Sequence, residues 1–310
     1  MTVRLAEHRG ITTTTALVAA AVSVAPSAQD VDVLIVLVES SRALHEELGA
    51  ASPAVLVIAE DVPAIAGFDV TIVTVGYSSR ADYSASDIRV SLDGTRFTLA
   101  AAGMTVPVQL AIVGERHVLS ALAAIAAGVA NGAGLADAAA ALAAVTDPEP
   151  GNLQVVPVTD SITLIDDSGD TSSASTIEAL KTLAEITTAG HRSIAVIGEL
   201  SGMGDPLESR EEHDRLGRIV VRLNIGLLVA VGHGARHLQA AAGLEGSWDG
   251  ESVLVATVDE AYDLVRDKLR DGDIVLVKTA SPGSTPDTTR SAHAQTDIHT
   301  LSQRLGRLPA

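Results

Sequence analysis

The chain has 310 residues, a formal charge of −18, 47% apolar but only 2% aromatic residues, and no cysteine. That length suits about two domains. The acidity argues against a nucleic-acid partner, the scarcity of aromatics argues against base stacking, and the missing cysteine excludes disulfides, thiolate zinc sites and a cysteine nucleophile.

In chain order, the first part alternates helix and strand. Thr12–Val24 reads as a helix, and Val31–Val38 as a continuous apolar strand ending in Glu39. A short helix over Arg42–Leu48 and strands over Ala54–Ala59 and Val70–Val75 follow. The period then changes to two. Ile88–Leu92, Arg96–Leu99 and Val106–Leu110 alternate apolar and polar residues around Asp93-Gly94, which predicts an antiparallel meander with a hairpin turn. His117–Val145 is Ala-rich and helical, broken at Asn131-Gly-Ala-Gly134. Thr146-Asp-Pro-Glu-Pro-Gly151, dense in Pro and Gly, is the expected linker, with one domain over 1–150 and another over 151–310.

The second part repeats strand and helix more cleanly. Strands are predicted at Ile162–Ile165, Ser193–Ile197, Ile225–Val231, Ser252–Ala256 and Ile274–Val277. Helices are predicted at Ser175–Ile186, Glu208–Leu223, near Ala235–Ala242, and at Val258–Leu269. Such alternation implies a mostly parallel sheet covered by helices. The Thr/Ser-rich end predicts an amphipathic helix on Ile298, Leu301 and Leu305, or a loose tail. The segment 162–176 is the most telling: a short strand, the acidic turn Asp166-Asp167, a polar loop, then a helix. In an open α/β sheet, ligands bind beyond the carboxyl ends of strands, which is where this turn falls. No apolar run reaches the roughly 18–20 residues of a membrane span. With Arg4 and Arg9 as its basic residues, the N-terminus lacks a signal-peptide pattern, so a cytoplasmic location without membrane insertion is expected.

Several stretches between about residues 83 and 278 carry a family pattern in order. They are Gly114-Glu-Arg-His-Val-Leu-Ser-Ala, Gly151-Asn-Leu-Gln-Val-Val, Thr163-Leu-Ile-Asp-Asp-Ser, Ile194-Ala-Val-Ile-Gly-Glu-Leu, Glu212-His-Asp-Arg-Leu-Gly, Leu227-Leu-Val-Ala-Val-Gly and Gly272-Asp-Ile-Val-Leu-Val-Lys278. Together they resemble the Mur ligases, and most of all the D-alanyl-D-alanine-adding type. The resemblance implies an α/β fold: a truncated, shortened central ATPase-like domain followed by a Rossmann-like C-terminal domain. It also implies peptidoglycan precursor synthesis, with ATP and Mg2+ driving amide formation through an acyl phosphate. Against the family's usual three domains, the resemblance leads to the expectation that the UDP-sugar-binding domain is not among these 310 residues.

The same resemblance assigns candidate ligand contacts. Gly10 and Thr12 fall on the phosphate loop, although Ile11 replaces its Lys, no strand is predicted before it, and Arg9 offers a charge from the other side. Glu39 falls on the magnesium-binding Glu; Asp166, Asp167 and Lys278 fall on the nucleotide face. Elsewhere the pattern is lost. Arg116, His117 and Ser120 replace a His and two Asn that help to hold the nucleotide, and Asn152 replaces an Arg. Gly169 to Ser173 replace Tyr-Asn-Ala-Asn-Pro, and Thr279-Ala-Ser replaces Gly-Ser-Arg. Retained positions are mostly strand interiors and helix faces, whereas replaced ones mostly meet ligands. The expectation is a catalytically degenerate homologue that acts by binding or regulation, on a cell-wall precursor or a cell-wall enzyme. The alternative is an active ATP-dependent ligase using Glu39, Asp166, Asp167 and Lys278.

Other constellations are weaker. His233 and His237 have metal-like spacing but no third ligand nearby, and Gly232-His-Gly-Ala-Arg reads as a tight turn. His213, Asp214 and Arg215 read as a polar helix face with local charge pairs.

Overall fold

The computed structural model describes residues 3–5, 11–25, 33–37, 53–61, 69–146, 151–169, 172–187, 190–200, 206–278 and 304–305. The chain divides into two compact units, Met1–Glu149 and Pro150–Ala310. Among the described residues no helix is long and apolar enough to cross a membrane.

The first unit holds a seven-stranded sheet in sequential order: β1 (Val3–Leu5), β2 (Val33–Val36), β3 (Val55–Ala59), β4 (Thr71–Gly76), β5 (Tyr83–Ser91), β6 (Gly94–Ala101) and β7 (Met104–Leu110). The pairs from β1 to β5 are parallel; β5–β6 and β6–β7 are antiparallel. All four residues of β2 are buried because the strand is covered on both faces. Val33 and Ile35 join one core with Leu17, Val57 and Leu122, while Leu34 and Val36 join another with Leu56 and Ile58. The expected meander forms, but its two-residue loop is Leu92-Asp93, and Gly94 is the first residue of β6 with φ 121°.

The helices of this unit are α1 (Ile11–Ser23), α2 (His117–Ala130) and α3 (Leu135–Ala141), the last followed by a 3-10 turn over Leu142–Ala144. Helices α1 and α2 lie side by side and run the same way. Thr14 meets Ser120 near their starts, and a Cβ on Gly128 would lie 2.8 Å from the Ala21 carbonyl oxygen near their ends. Alanine and glycine in α2 permit this approach, and the helix buries nearly its whole circumference, from His117 to Gly128.

The second unit is a six-stranded sheet in the order β12-β11-β10-β13-β9-β8. Its strands are β8 (Gln154–Pro157), β9 (Thr163–Asp166), β10 (Arg192–Ile197), β11 (Leu227–Val231), β12 (Glu251–Val255) and β13 (Asp273–Lys278). All pairs are parallel except β8–β9, an antiparallel edge whose four-residue strand β8 carries no clear periodic pattern. The helices are α4 (Ser173–Thr187), α5 (Pro206–Arg222), α6 (Arg236–Gly243) and α7 (Val258–Lys268). Leu164, Ile194, Val196, Val229, Val275 and Val277 form one core face with Ala261 and Val265 of α7 and with Leu305. The predicted helix Arg42–Leu48 and the linker residues 147–150 lie outside the described residues.

The α/β class and the Rossmann-like second unit are as expected. The chain crosses from β9 to β10 with β13 inserted between them, so the carboxyl ends of β9, β10, β11 and β13 share one edge. That edge flanks the switch point where ligands of such sheets are found.

Candidate functional site

The turn after β9 is held by a buried ion pair. Asp167 follows β9 and Lys278 ends β13, and both are essentially inaccessible, at 1% exposure each. Lys278 Nζ donates to Asp167 Oδ2 at 2.6 Å, to the Asp167 carbonyl oxygen at 3.2 Å, and to Ser175 Oγ at 2.8 Å. An ammonium group has three protons, and these three acceptors take them. The other carboxylate oxygen, Oδ1, accepts the Leu153 N–H at 3.0 Å. The Asp167 N–H in turn donates to Val277 O, and the Gly169 N–H to Gly151 O. One pair therefore ties together the ends of β9 and β13, the first turn of α4 and the entry to β8. Removing two charges from water costs several kcal/mol per ion, and close geometry with full hydrogen bonding is what offsets it.

Asp166 is the last residue of β9 and is 4% exposed. Its Oδ1 accepts the Ser168 N–H at 3.1 Å, an Asx turn that shapes the loop. Where α4 begins, Ser173 donates a short hydrogen bond to Glu212 of α5. Of the candidates on this face, Lys278 and Asp167 are brought together and engaged with each other. Ser175 and the Leu153 N–H were not singled out from sequence. Nothing local flags them: Ser175 meets Lys278, about a hundred residues further along, and the Leu153 N–H meets Asp167 across the β8–β9 edge.

The polar-face reading of α5 needs one correction. Arg215 does pair with Glu212 at 3.5 Å, but His213 is only 1% exposed and points inward. Every third or fourth residue of this helix turns to the core, and His213 shares that stripe with Leu216 and Val220. Among the described residues no group of three or more His, Asp or Glu could hold a metal ion, His233 and His237 included.

In the first unit the structure corrects the sequence reading at the phosphate-loop candidate. A strand does precede it: β1 pairs in parallel with β2, Val3 opposite Val33, and α1 starts at Ile11. Three residues of strand are too short to register as a periodic pattern. Gly10, Arg9 and Glu39 lie outside the described residues, as does the side chain of Thr12. Beside α1, two positions that replace the family's Asn residues are now packed. Ser120 accepts a hydrogen bond from the fully buried Thr14 at 3.0 Å. His117 is 3% exposed, and among the described residues its Nε2 has no hydrogen-bond partner. Burial, and secondarily the Arg116 charge, push its pKa down to about 3, so the ring is neutral.

Residues 151–281, most of the second unit, match the family described as Mur ligase, glutamate ligase domain, and the unit's mostly parallel sheet agrees with that match. The similarity extends beyond this domain to a particular kind of Mur ligase. The chain is 37% identical over 257 residues to a UDP-N-acetylmuramoyl-tripeptide–D-alanyl-D-alanine ligase of Mycobacterium leprae, covering 73% of this chain and 49% of that protein. It is 29% identical over 178 residues to the Escherichia coli protein of the same name, covering 57% of this chain and 38% of the relative. The chain thus spans about half the length, or less, of these relatives. Among solved structures, MurF from Acinetobacter baumannii superimposes with a TM-score of 0.74 at 18% identity, over 98% of this chain and 76% of the other. MurF from Thermotoga maritima, in complex with ADP, gives 0.63 at 15% identity, over 88% and 61%. At such identities the superpositions speak for the fold.

Proposed function

We propose that this chain works in peptidoglycan precursor synthesis as a Mur-ligase-like protein that acts by binding rather than by catalysis. The relatives of the D-alanyl-D-alanine-adding type support the pathway. The observation that carries the second half is the closed set of contacts at Lys278, whose three donors are met inside the protein. A phosphate on this edge finds no free ammonium there. Ile11 stands where the resemblance calls for the phosphate-loop Lys, so a second cation is missing as well. Phosphoryl transfer depends on positioning and charge neutralisation, and one electrostatic group of this kind is worth about 3–4 kcal/mol of transition-state stabilisation.

The alternative, an active ATP-dependent ligase, is favoured by one observation: the strand β1 is followed along the chain by the helix α1. A helix start after a strand presents backbone N–H groups to an anion, and the ADP complex of the Thermotoga maritima relative makes nucleotide the ligand to try. The deciding assay supplies the full chain with UDP-N-acetylmuramoyl-tripeptide, D-alanyl-D-alanine, ATP and Mg2+, and follows phosphate release. The binding reading expects release no faster than without protein; multiple turnovers that depend on both substrates sink it.

A further inference from the structure

The glycine turn between β11 and α6 has an occupant from its own chain. Glu199, two residues past β10, accepts the Gly234 N–H on Oε1 at 2.6 Å. A Cβ on Gly234 would lie 2.6 to 2.9 Å from three atoms of the Glu199 carboxylate, so only a residue without a side chain leaves room for it. One residue further, the Leu200 N–H donates to His213 Nε2 at 3.3 Å. His213 Nδ1 lies 2.6 Å from the Ser209 carbonyl oxygen, a contact that requires an N–H on that nitrogen. With Nδ1 protonated, the Nε2 lone pair is free to accept Leu200, so both ring nitrogens are used and the tautomer is fixed. At the start of the same turn, the Gly198 N–H donates to the Lys278 carbonyl oxygen at 3.0 Å.

We propose that His213 and Glu199 form one latch across the carboxyl edge of β10 and β11. His213 is its positioning residue: from inside α5 it holds the 198–200 turn, and that turn seats the Glu199 carboxylate at Gly234. With Glu199 seated, the Gly234 N–H has its acceptor, and the turn is closed to any other carboxylate or phosphate. A carboxylate accepting a backbone N–H is a charge-assisted bond, stronger than a neutral one. This inference rests on contacts within the second unit and stands whether or not the chain turns over ATP.

The test is residue-level amide hydrogen exchange by NMR on the labelled full chain. If the latch is one unit, His213→Ala accelerates exchange roughly tenfold at Gly234 as well as at Leu200, because opening one end releases the other. Gly234→Ala displaces Glu199 from the opposite side and accelerates Leu200, and it decides the matter if His213→Ala does not fold. Unchanged Gly234 exchange in a folded His213→Ala protein, or unchanged Leu200 exchange in Gly234→Ala, overturns the proposal. The imidazole nitrogen spectrum of the unaltered protein adds a readout that general packing does not set. It must show the proton of neutral His213 on Nδ1, and a proton on Nε2 overturns the latch.

Discussion

Replacing Asp167 by Ala removes the carboxylate that faces the buried Lys278 ammonium at 2.6 Å. An uncompensated buried charge of this kind costs about 3–5 kcal/mol. Urea unfolding of the second unit should register that loss for Asp167→Ala. It should register much less for the double change Asp167→Leu with Lys278→Met, which removes both charges together. Equal losses in the two would mean that the pair's energetics are not those of a buried ion pair. At His117 the effect is one of pH. Its folded pKa, about 3, lies below the ordinary value of 6.5. The unfolded chain therefore binds the proton more readily. Stability contributed by the neutral ring is fully present above about pH 6.5 and is lost as pH falls towards 3. Between pH 7 and pH 5 the first unit should lose about 2 kcal/mol through this residue. In His117→Gln that part of the pH slope should vanish, as measured by denaturant midpoints at the two pH values.

At the scale of elements, the contact of α1 with α2 sets two opposing effects against each other. Gly128→Ala improves helix propensity by up to about 1 kcal/mol. It also places a methyl group 2.8 Å from the Ala21 carbonyl oxygen, 3.0 Å from its carbon and 3.1 Å from its Cβ, mostly rigid backbone. Overpacking of a close contact costs typically 1–3 kcal/mol, so net destabilisation of the first unit is expected. A gain in thermal midpoint would show that the helices separate easily. The elements also show what could be read from the chain beforehand. Strands such as Val33–Val36 and Leu227–Val231 were legible as apolar runs, because burial on both faces removes any polar alternation. The strand Val3–Leu5 was not, being three residues long and defined by its pairing with β2. At the candidate site Asp166, Asp167 and Lys278 were visible as strand-end residues. The contact of Asp167 with Lys278 was not, because it depends on β13 inserting beside β9, a pairing across more than a hundred residues. His213 was misjudged for a related reason. A histidine among charged residues looks solvated until the helix face it occupies is known.

For the whole molecule, two observations bear on nucleotide binding from opposite sides. The first unit retains a strand leading into a helix at the phosphate-loop candidate, while Ile11 takes the place of its cation. The second unit retains Lys278 and encloses it. The proposed account is a Mur-ligase-like chain in which Ile11 takes the place of the phosphate-loop Lys and Lys278 is engaged by contacts of its own unit. Calorimetric titration of MgATP into the unaltered full chain, beside its Ile11→Lys variant, tests this most directly. The account predicts no saturable binding tighter than about 1 mM for the unaltered chain, with measurable affinity gained by Ile11→Lys. Micromolar binding of MgATP by the unaltered chain would contradict it.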